Sequence, residues 1–177
     1  MIPDSRTSAP SHGSTAEPFR LIRRQATRGH VALLLGRGGN GVPEADVTRA
    51  VKSTPRWTWT LLGADQSSWV DDPWDVLVRS DVVVTHAGQN ALAEVAAARR
   101  PAIAFPQERP HDEQHTTAAA LRRDGRFPVV ALDAFPTHGW PQLLAGAAEL
   151  DGTRWSAWND GKGAARAAAV IEREART

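Results

Sequence analysis

The stretch THAGQNALAE, residues 85–94, places a histidine, a glycine, two side-chain amides and a carboxylate directly after an apolar run. The apolar run predicts a buried strand ending near His86, and the following stretch predicts a helix beginning near Gln89. Free backbone amides at the start of a helix bind anions. The junction therefore predicts a phosphate site formed by Gly88, Gln89 and Asn90, with His86 as a further hydrogen-bond donor.

Glu94 lies four residues after Asn90, and hence about one turn along the same face of the predicted helix. A phosphate would repel a carboxylate that points at it. Glu94 makes sense in such a site only if it reaches past the phosphate to two adjacent hydroxyls, such as those of ribose. Simpler alternatives exist for each residue: Asn90 could cap the helix, Glu94 could face solvent, and His86 could simply end the strand.

A second glycine-rich loop, GRGGNG, occupies residues 36–41. Glycines let the backbone approach a ligand closely, and the helix start that follows favours an anion. The loop also matches the Gly-x-Gly-x-x-Gly pattern of dinucleotide-binding folds. Asp65, however, lies beyond the next strand and about four residues later than that fold expects, which argues against NAD. A plain structural turn is the other alternative.

The segment RPHDEQHTT, residues 109–117, opens another predicted helix with Asp112, Glu113 and Gln114. Acidic residues at a helix start are favourable through the helix dipole alone, but a carboxylate and an amide could also bind sugar hydroxyls. His111 and His115 are four residues apart, yet the acids between them do not complete a His-Glu-x-x-His motif. We therefore predict no metal site.

Trp69 and Val70 precede a short predicted helix, in the segment WVDDP. The indole could pack against a flat base, and the Val70 backbone could hydrogen-bond to the edge of that base. A tryptophan packed in the hydrophobic core is an equally good interpretation of the same residue.

Short apolar runs alternate with helical patterns through most of the chain. The strands and helices that this alternation predicts would position the candidate site residues. It predicts a Rossmann-like α/β fold, a doubly wound parallel sheet of five to six strands. In such sheets ligands bind beyond the carboxyl ends of the strands. Predicted strands cover 31–36, 56–63, 81–86, 101–106 and 128–133, and predicted helices cover 41–53, 72–80, 89–100, 112–124, 139–150 and 162–175.

Composition narrows the class of protein further. The 177 residues carry 21 basic and 20 acidic side chains, so the charge requires neither a nucleic-acid nor a membrane partner. There is no cysteine, which excludes disulfides and thiolate metal sites. No apolar run approaches the length of a membrane span. We expect residues 1–28 to be a polar tail or linker, followed by a domain over 29–177. The tail lacks the apolar core of a secretory signal, so we expect a cytoplasmic protein.

The pattern from Trp69 to Gln114 resembles the C-terminal, donor-binding domain of GT-B glycosyltransferases. It is most similar to glycosyltransferase family 28, which includes the peptidoglycan N-acetylglucosaminyltransferase, and to the UDP-glycosyltransferase signature. The spacing from the histidine to the second proline matches that signature without a gap, whereas the loop before the Asp/Gln pair is slightly longer. The matching residues are His86, Gly88, Asn90, Glu94, Pro101, Pro106, Asp112 and Gln114.

The resemblance implies roles for these residues in binding a nucleotide-diphosphate sugar, with UDP as the expected nucleotide and no metal or other cofactor. It implies that Glu94 binds the ribose and that Trp69 and Val70 contact the base. It implies inverting transfer, with His86 as a candidate catalytic residue. The implied diphosphate-binding residues are Gly38, Gly39, Asn40, Gly41, His86, Gly88, Gln89 and Asn90, and the implied sugar-binding residues are Asp112, Glu113 and Gln114.

A complete GT-B enzyme has a second, N-terminal domain that binds the acceptor and supplies the general base. The resemblance therefore implies that this chain needs an acceptor-binding domain or subunit for turnover, through which it could associate peripherally with a membrane. Residues 19–25 and the last helix are candidate docking surfaces. The alternatives are a stand-alone nucleotide-sugar binding or regulatory module, a sugar-nucleotide 2-epimerase and, from the loop at 36–41, a dehydrogenase.

Overall fold

The computed structural model describes residues 29–35, 42–63, 72–108 and 110–176. The predicted polar tail, residues 1–28, lies outside the described residues, so the domain boundary near residue 29 stays a prediction. The strands are β1 (His30–Leu34), β2 (Thr58–Leu62), β3 (Val82–His86), β4 (Ala102–Phe105) and β5 (Val129–Ala131). The α-helices are α1 (Glu44–Ser53), α2 (Trp74–Arg79), α3 (Gln89–Ala98), α4 (Glu113–Asp124), α5 (Trp140–Ala148) and α6 (Gly163–Glu174).

The five strands form one parallel sheet in the order β2-β1-β3-β4-β5. The central strands are short apolar runs because both faces of the sheet are covered by helices. On one face, Ala32, Val83 and Ala104 pack with residues of α2, α3 and α4. On the other face, Leu33 and Val84 pack with residues of α1 and α5. The predicted doubly wound α/β fold is therefore confirmed.

Helix α3 is held against the sheet by small side chains, and most of its alanines are buried. The helix ends at Ala98, earlier than the sequence predicts, because Arg99 adopts a left-handed conformation with φ 55° and Arg100 precedes a proline. A proline disfavours helical geometry in the residue before it. These features fix the carboxyl end of the helix whose amino end carries the candidate phosphate site.

A short 3-10 segment, Gly152–Ala157, lies between the last two helices and was not predicted from the sequence. Its Trp155 is fully buried, and the indole N–H donates to the carbonyl oxygen of Arg100 at 2.7 Å. The ring stacks on Phe127 at a centroid distance of 5.6 Å. This segment anchors the chain where α3 leads into β4.

Candidate functional site

The candidate site lies at the carboxyl edge of the sheet, where the strand order reverses. β1 is flanked by β2 on one side and β3 on the other, so the connections after β1 and β3 diverge there. Leu34 of β1 pairs with Thr85 of β3, and His86 pairs with Phe105 of β4. Because ligands of open parallel sheets bind at such switch points, the described loops after β3 and β4 are positioned to contribute to one site.

His86 and Gly88 are packed so closely that they act as one unit. The backbone N–H of Gly88 donates to Nδ1 of His86 at 3.1 Å. Nδ1 is thus an acceptor, which assigns the proton of the neutral ring to Nε2. Because Nδ1 accepts from Gly88, Nε2–H is the donor group of the neutral ring. This geometry fits anion binding better than proton abstraction.

Gly88 is required by its neighbours and not by its backbone angles. Its φ of −78° and ψ of 144° are extended values that other residues adopt. A Cβ atom at this position would lie 2.5 Å from Cε1 and 2.6 Å from Nδ1 of His86. The structure therefore explains the glycine by its close contact with the imidazole.

The amino end of α3 is built to leave its first amides available. Gly88 occupies the N-cap position and has no side chain with which to cap them. The first turn contains no acidic residue, so the positive end of the helix dipole is not neutralised within its own turn. Asn90 lies inside this turn and is exposed, which rules out its interpretation as the helix cap. Gln89 is exposed beside it.

Glu94 is an exposed carboxylate that forms no ion pair with any described residue. Its pKa is raised above the ordinary value of 4.5, first by desolvation and then by the negative charge of Asp72. Asp72 precedes α2, and its Oδ1 accepts from the backbone N–H of Trp74 at 2.9 Å. A carboxylate kept beside a like charge, without a cation, is a recognised mark of a functional site.

Gln114 connects the loop after β4 to the loop after β3. It is buried, and its Oε1 accepts from the backbone N–H of Gln107 at 2.9 Å. Its Nε2 lies 3.5 Å from the position that a Cβ on Gly88 would occupy. Of the candidate sugar-binding groups, Gln114 therefore has a carbonyl oxygen that is oriented by the Gln107 backbone, and its NH2 group is the donor that it can offer to a ligand.

The backbone before α4 is held in an unusual conformation. His111 and Asp112 have φ values of 68° and 50°, in the left-handed region that residues other than glycine rarely adopt. Asp112 stands at the N-cap of α4, yet its side chain makes no capping hydrogen bond. Both Asp112 and Glu113 are exposed. Asp112 and Glu113 can therefore act on the helix only through their charges and the dipole, and strain of this kind gathers at ligand-binding sites.

Several predicted site residues lie outside the described residues: Gly38, Gly39, Asn40, Gly41, Trp69 and Val70. Their roles stay predictions. In the part of the chain that the structure describes, no three histidine or acidic side chains are grouped so that they could hold a metal ion. The same part contains no helix long and apolar enough to cross a membrane.

Two residues at this site were not singled out from the sequence, namely Gln107 and Asp72. Asp72 belongs to the predicted base-binding segment, but only the folded chain brings its charge close to Glu94. Gln107 directly follows the second proline of the signature, and its polar type at the end of a buried strand was the available signal.

Comparison with known protein families identifies the domain. Residues 28–137 match the family model described as the glycosyltransferase family 28 C-terminal domain. This chain belongs to glycosyltransferase family 28. The matched range of this family 28 domain runs from just before β1 through β5, and so includes every described element at the candidate site.

One relative is similar to this chain in sequence, and two solved structures are similar to it in fold. The chain is 32% identical over 110 residues to an uncharacterised glycosyltransferase of Methanopyrus kandleri. This match covers 60% of this chain and 30% of the relative. The fold of the chain resembles the crystal structure of the glycosyltransferase of kitacinnamycin (TM-score 0.61, 19% identity, 94% of this chain and 47% of that chain). A spinosyn rhamnosyltransferase is also similar (TM-score 0.53, 16% identity, 91% and 45%). The chain spans less than half the length of each of these proteins.

Proposed function

We propose that this family 28 domain binds a nucleotide-diphosphate sugar, most favourably a UDP-sugar, as the donor half of an inverting, metal-independent glycosyltransferase. One observation carries the proposal: the amino end of α3 has no side-chain cap and directly follows the contact between Gly88 and His86, and the same helix carries Glu94, which forms no ion pair among the described residues. Amides and an imidazole suit a diphosphate, and a carboxylate suits a diol.

The diphosphate would be bound by the first-turn amides of α3 and by His86. Hydrogen-bond donors that are already in place stabilise charge developing on a leaving group without reorganisation. Such donors can do here what a metal ion does in other glycosyltransferases. His86 would then act by stabilising the departing diphosphate, since its Nδ1 lone pair is held by Gly88.

The nucleoside would lie along α3 towards α2. Glu94 would accept hydrogen bonds from the two ribose hydroxyls, which can approach it without displacing a paired cation. Asp72, two residues after Val70 in the chain, lies near enough to Glu94 to raise its pKa. This proximity supports the prediction that Trp69 and Val70 contact the base.

The donor sugar would lie between the loop after β4 and the start of α4. Asp112 offers a carboxylate that is not used as a cap, Glu113 is exposed beside it, and Gln114 offers its NH2 group. The left-handed backbone at His111 and Asp112 turns the chain at this point.

Turnover would require an acceptor-binding domain or subunit, because the chain spans less than half of its relatives. Helix α6 is a candidate docking surface for that partner. It has no buried residue, and Val170 and Ile171 are 49% and 68% exposed. An amphipathic helix without an internal partner fits such a role.

Calorimetric titration of the full 177-residue chain with UDP, UDP-glucose, UDP-N-acetylglucosamine, dTDP-glucose and NAD tests the proposal. We expect binding of a UDP-sugar that Glu94→Ala weakens by about tenfold to a hundredfold, because hydrogen bonds to a charged group are lost. Glu149→Ala, at an exposed glutamate after α5, is the matched control and should leave binding unchanged. Binding of NAD alone, or binding that is indifferent to Glu94, would contradict the proposal.

A further inference from the structure

The side-chain amide of Gln107 is buried and has no hydrogen-bond partner among the described residues. The residue is 4% exposed, and neither its Nε2 nor its Oε1 has a hydrogen-bond partner in the described structure. Buried polar groups in native proteins are nearly always paired, and an unpaired one is destabilising. An amide kept at this cost requires a reason other than the stability of the unliganded chain.

Gln107 lies next to the candidate site, so binding of a ligand there is the explanation that we consider. It follows Phe105 and Pro106 at the carboxyl end of β4, on the ligand-binding edge of the sheet. Its backbone N–H donates to Oε1 of Gln114 at 2.9 Å. Gln114 in turn lies against Gly88. Gln107, with its unpaired amide, therefore belongs to the residues that connect the loop after β4 to the loop after β3.

The chemistry of an amide selects the part of the ligand that could satisfy it. A primary amide has two donors and one acceptor. A phosphate offers only acceptors, so it would leave Oε1 of Gln107 unpaired. A sugar presents neighbouring hydroxyls that both donate and accept, so one can accept from Nε2 while the next donates to Oε1, and both amide atoms are satisfied. An imidazolium or ammonium group would satisfy only the oxygen.

We propose that Gln107 is a sugar-recognition residue that hydrogen-bonds to a hydroxyl of the donor hexose, an inference that rests on the proposed function. In the unliganded chain both amide atoms are shielded from solvent. The three side-chain torsions of glutamine allow the amide to turn to a ligand, and pairing both amide atoms with neighbouring hydroxyls removes the penalty of the unpaired state. The site therefore favours a hexose with free hydroxyls over a deoxygenated sugar.

The experiment compares Gln107→Met with the wild type in the full chain, using calorimetric titration with UDP and with UDP-glucose. Methionine keeps the approximate volume and removes the amide. We expect UDP to bind with unchanged affinity and UDP-glucose to bind about tenfold more weakly. The melting temperature of Gln107→Met should equal or exceed that of the wild type. Gln142→Met, at an exposed glutamine of α5, should change none of these quantities.

Each result decides between the inference and its alternatives. Equal affinity of Gln107→Met and wild type for UDP-glucose overturns the sugar-recognition role while leaving the proposed function intact. A lower melting temperature, or equal loss of UDP and UDP-glucose, assigns Gln107 to the structure of the site and also overturns it. If the wild type binds neither nucleotide, the proposed function fails, and the inference fails with it.

A measurement on the wild type avoids any dependence on how the variant folds. The side-chain NH2 resonances of Gln107, followed by NMR, should shift on addition of UDP-glucose and stay in place on addition of UDP. Shifts of equal size with both ligands would contradict recognition of the sugar.

Discussion

Gly88→Ala gives the sharpest test of how the phosphate site is built. An alanine Cβ would lie 2.5 Å from Cε1 of His86, whereas ordinary contacts begin near 3.4 Å. The imidazole must therefore move by about 0.9 Å, the difference between these two distances. That movement breaks the 3.1 Å hydrogen bond from Gly88 to Nδ1 and turns the Nε2–H donor away from its present direction.

The expected cost has two parts. Forcing an extra methyl group into a packed site costs roughly 1–3 kcal/mol, and the lost hydrogen bond adds about 1 kcal/mol. We expect a free energy of unfolding lower by about 2–4 kcal/mol and a melting temperature lower by about 5–10 °C. Affinity for UDP should fall by about tenfold or more, because a hydrogen bond to a charged group is worth about 1.5–3 kcal/mol.

Gly146→Ala is the matched control for this substitution. Gly146 lies in α5, and a Cβ there would meet nothing within 4 Å. Alanine is the better helix former by about 0.5–1 kcal/mol, so this variant should be slightly more stable and should bind UDP normally. Denaturant unfolding and calorimetry measure both quantities. A Gly88→Ala variant with wild-type stability and wild-type affinity for UDP would refute the assigned role of the close contact.

Four further predictions follow from other parts of the fold. The folded chain raises the pKa of Glu94, so folding disfavours the ionised form of this carboxyl group. Glu94→Gln should therefore equal or exceed the wild type in melting temperature at pH 7. This difference should vanish as the pH falls below about 4, where the glutamate is protonated in the unfolded chain as well. In the wild type, the affinity for UDP should fall as the pH drops through the raised pKa of Glu94, and hence at a higher pH than an ordinary glutamate would give. An identical dependence of UDP affinity on pH in Glu94→Gln would contradict this. Trp155→Phe should lower the free energy of unfolding by about 1–3 kcal/mol, because it leaves the Arg100 carbonyl oxygen without the indole donor, whereas unchanged denaturant midpoints would argue against that contact. Deleting residues 163–177 should shift the melting temperature by less than about 2 °C, since α6 buries no side chain, and a larger loss would mean that α6 packs on the domain.

The sequence alone determined the fold class and the order of the elements. The parallel strands are buried on both faces, so they appear as continuous apolar runs such as 81–86, which are recognisable without neighbours. The helix that begins at Gln89 and the family motif from His86 to Gln114 were equally local, because they depend on residue types at fixed spacings. The segment Gly152–Ala157 was missed because its stability comes from a distant contact, between Trp155 and Arg100.

Only the tertiary structure decided what the site residues are free to do. It showed that Gly88 is required by the imidazole of His86 and that the side chain of Asp112, at the N-cap of α4, makes no capping hydrogen bond. It also showed that Gln114 has already committed its oxygen to Gln107. Spacing along the chain fixes which residues reach the carboxyl edge of a parallel sheet. Hydrogen-bond partners, like-charge neighbours and unpaired buried atoms depend on residues far apart in sequence, so they become readable only once the loops after different strands lie side by side.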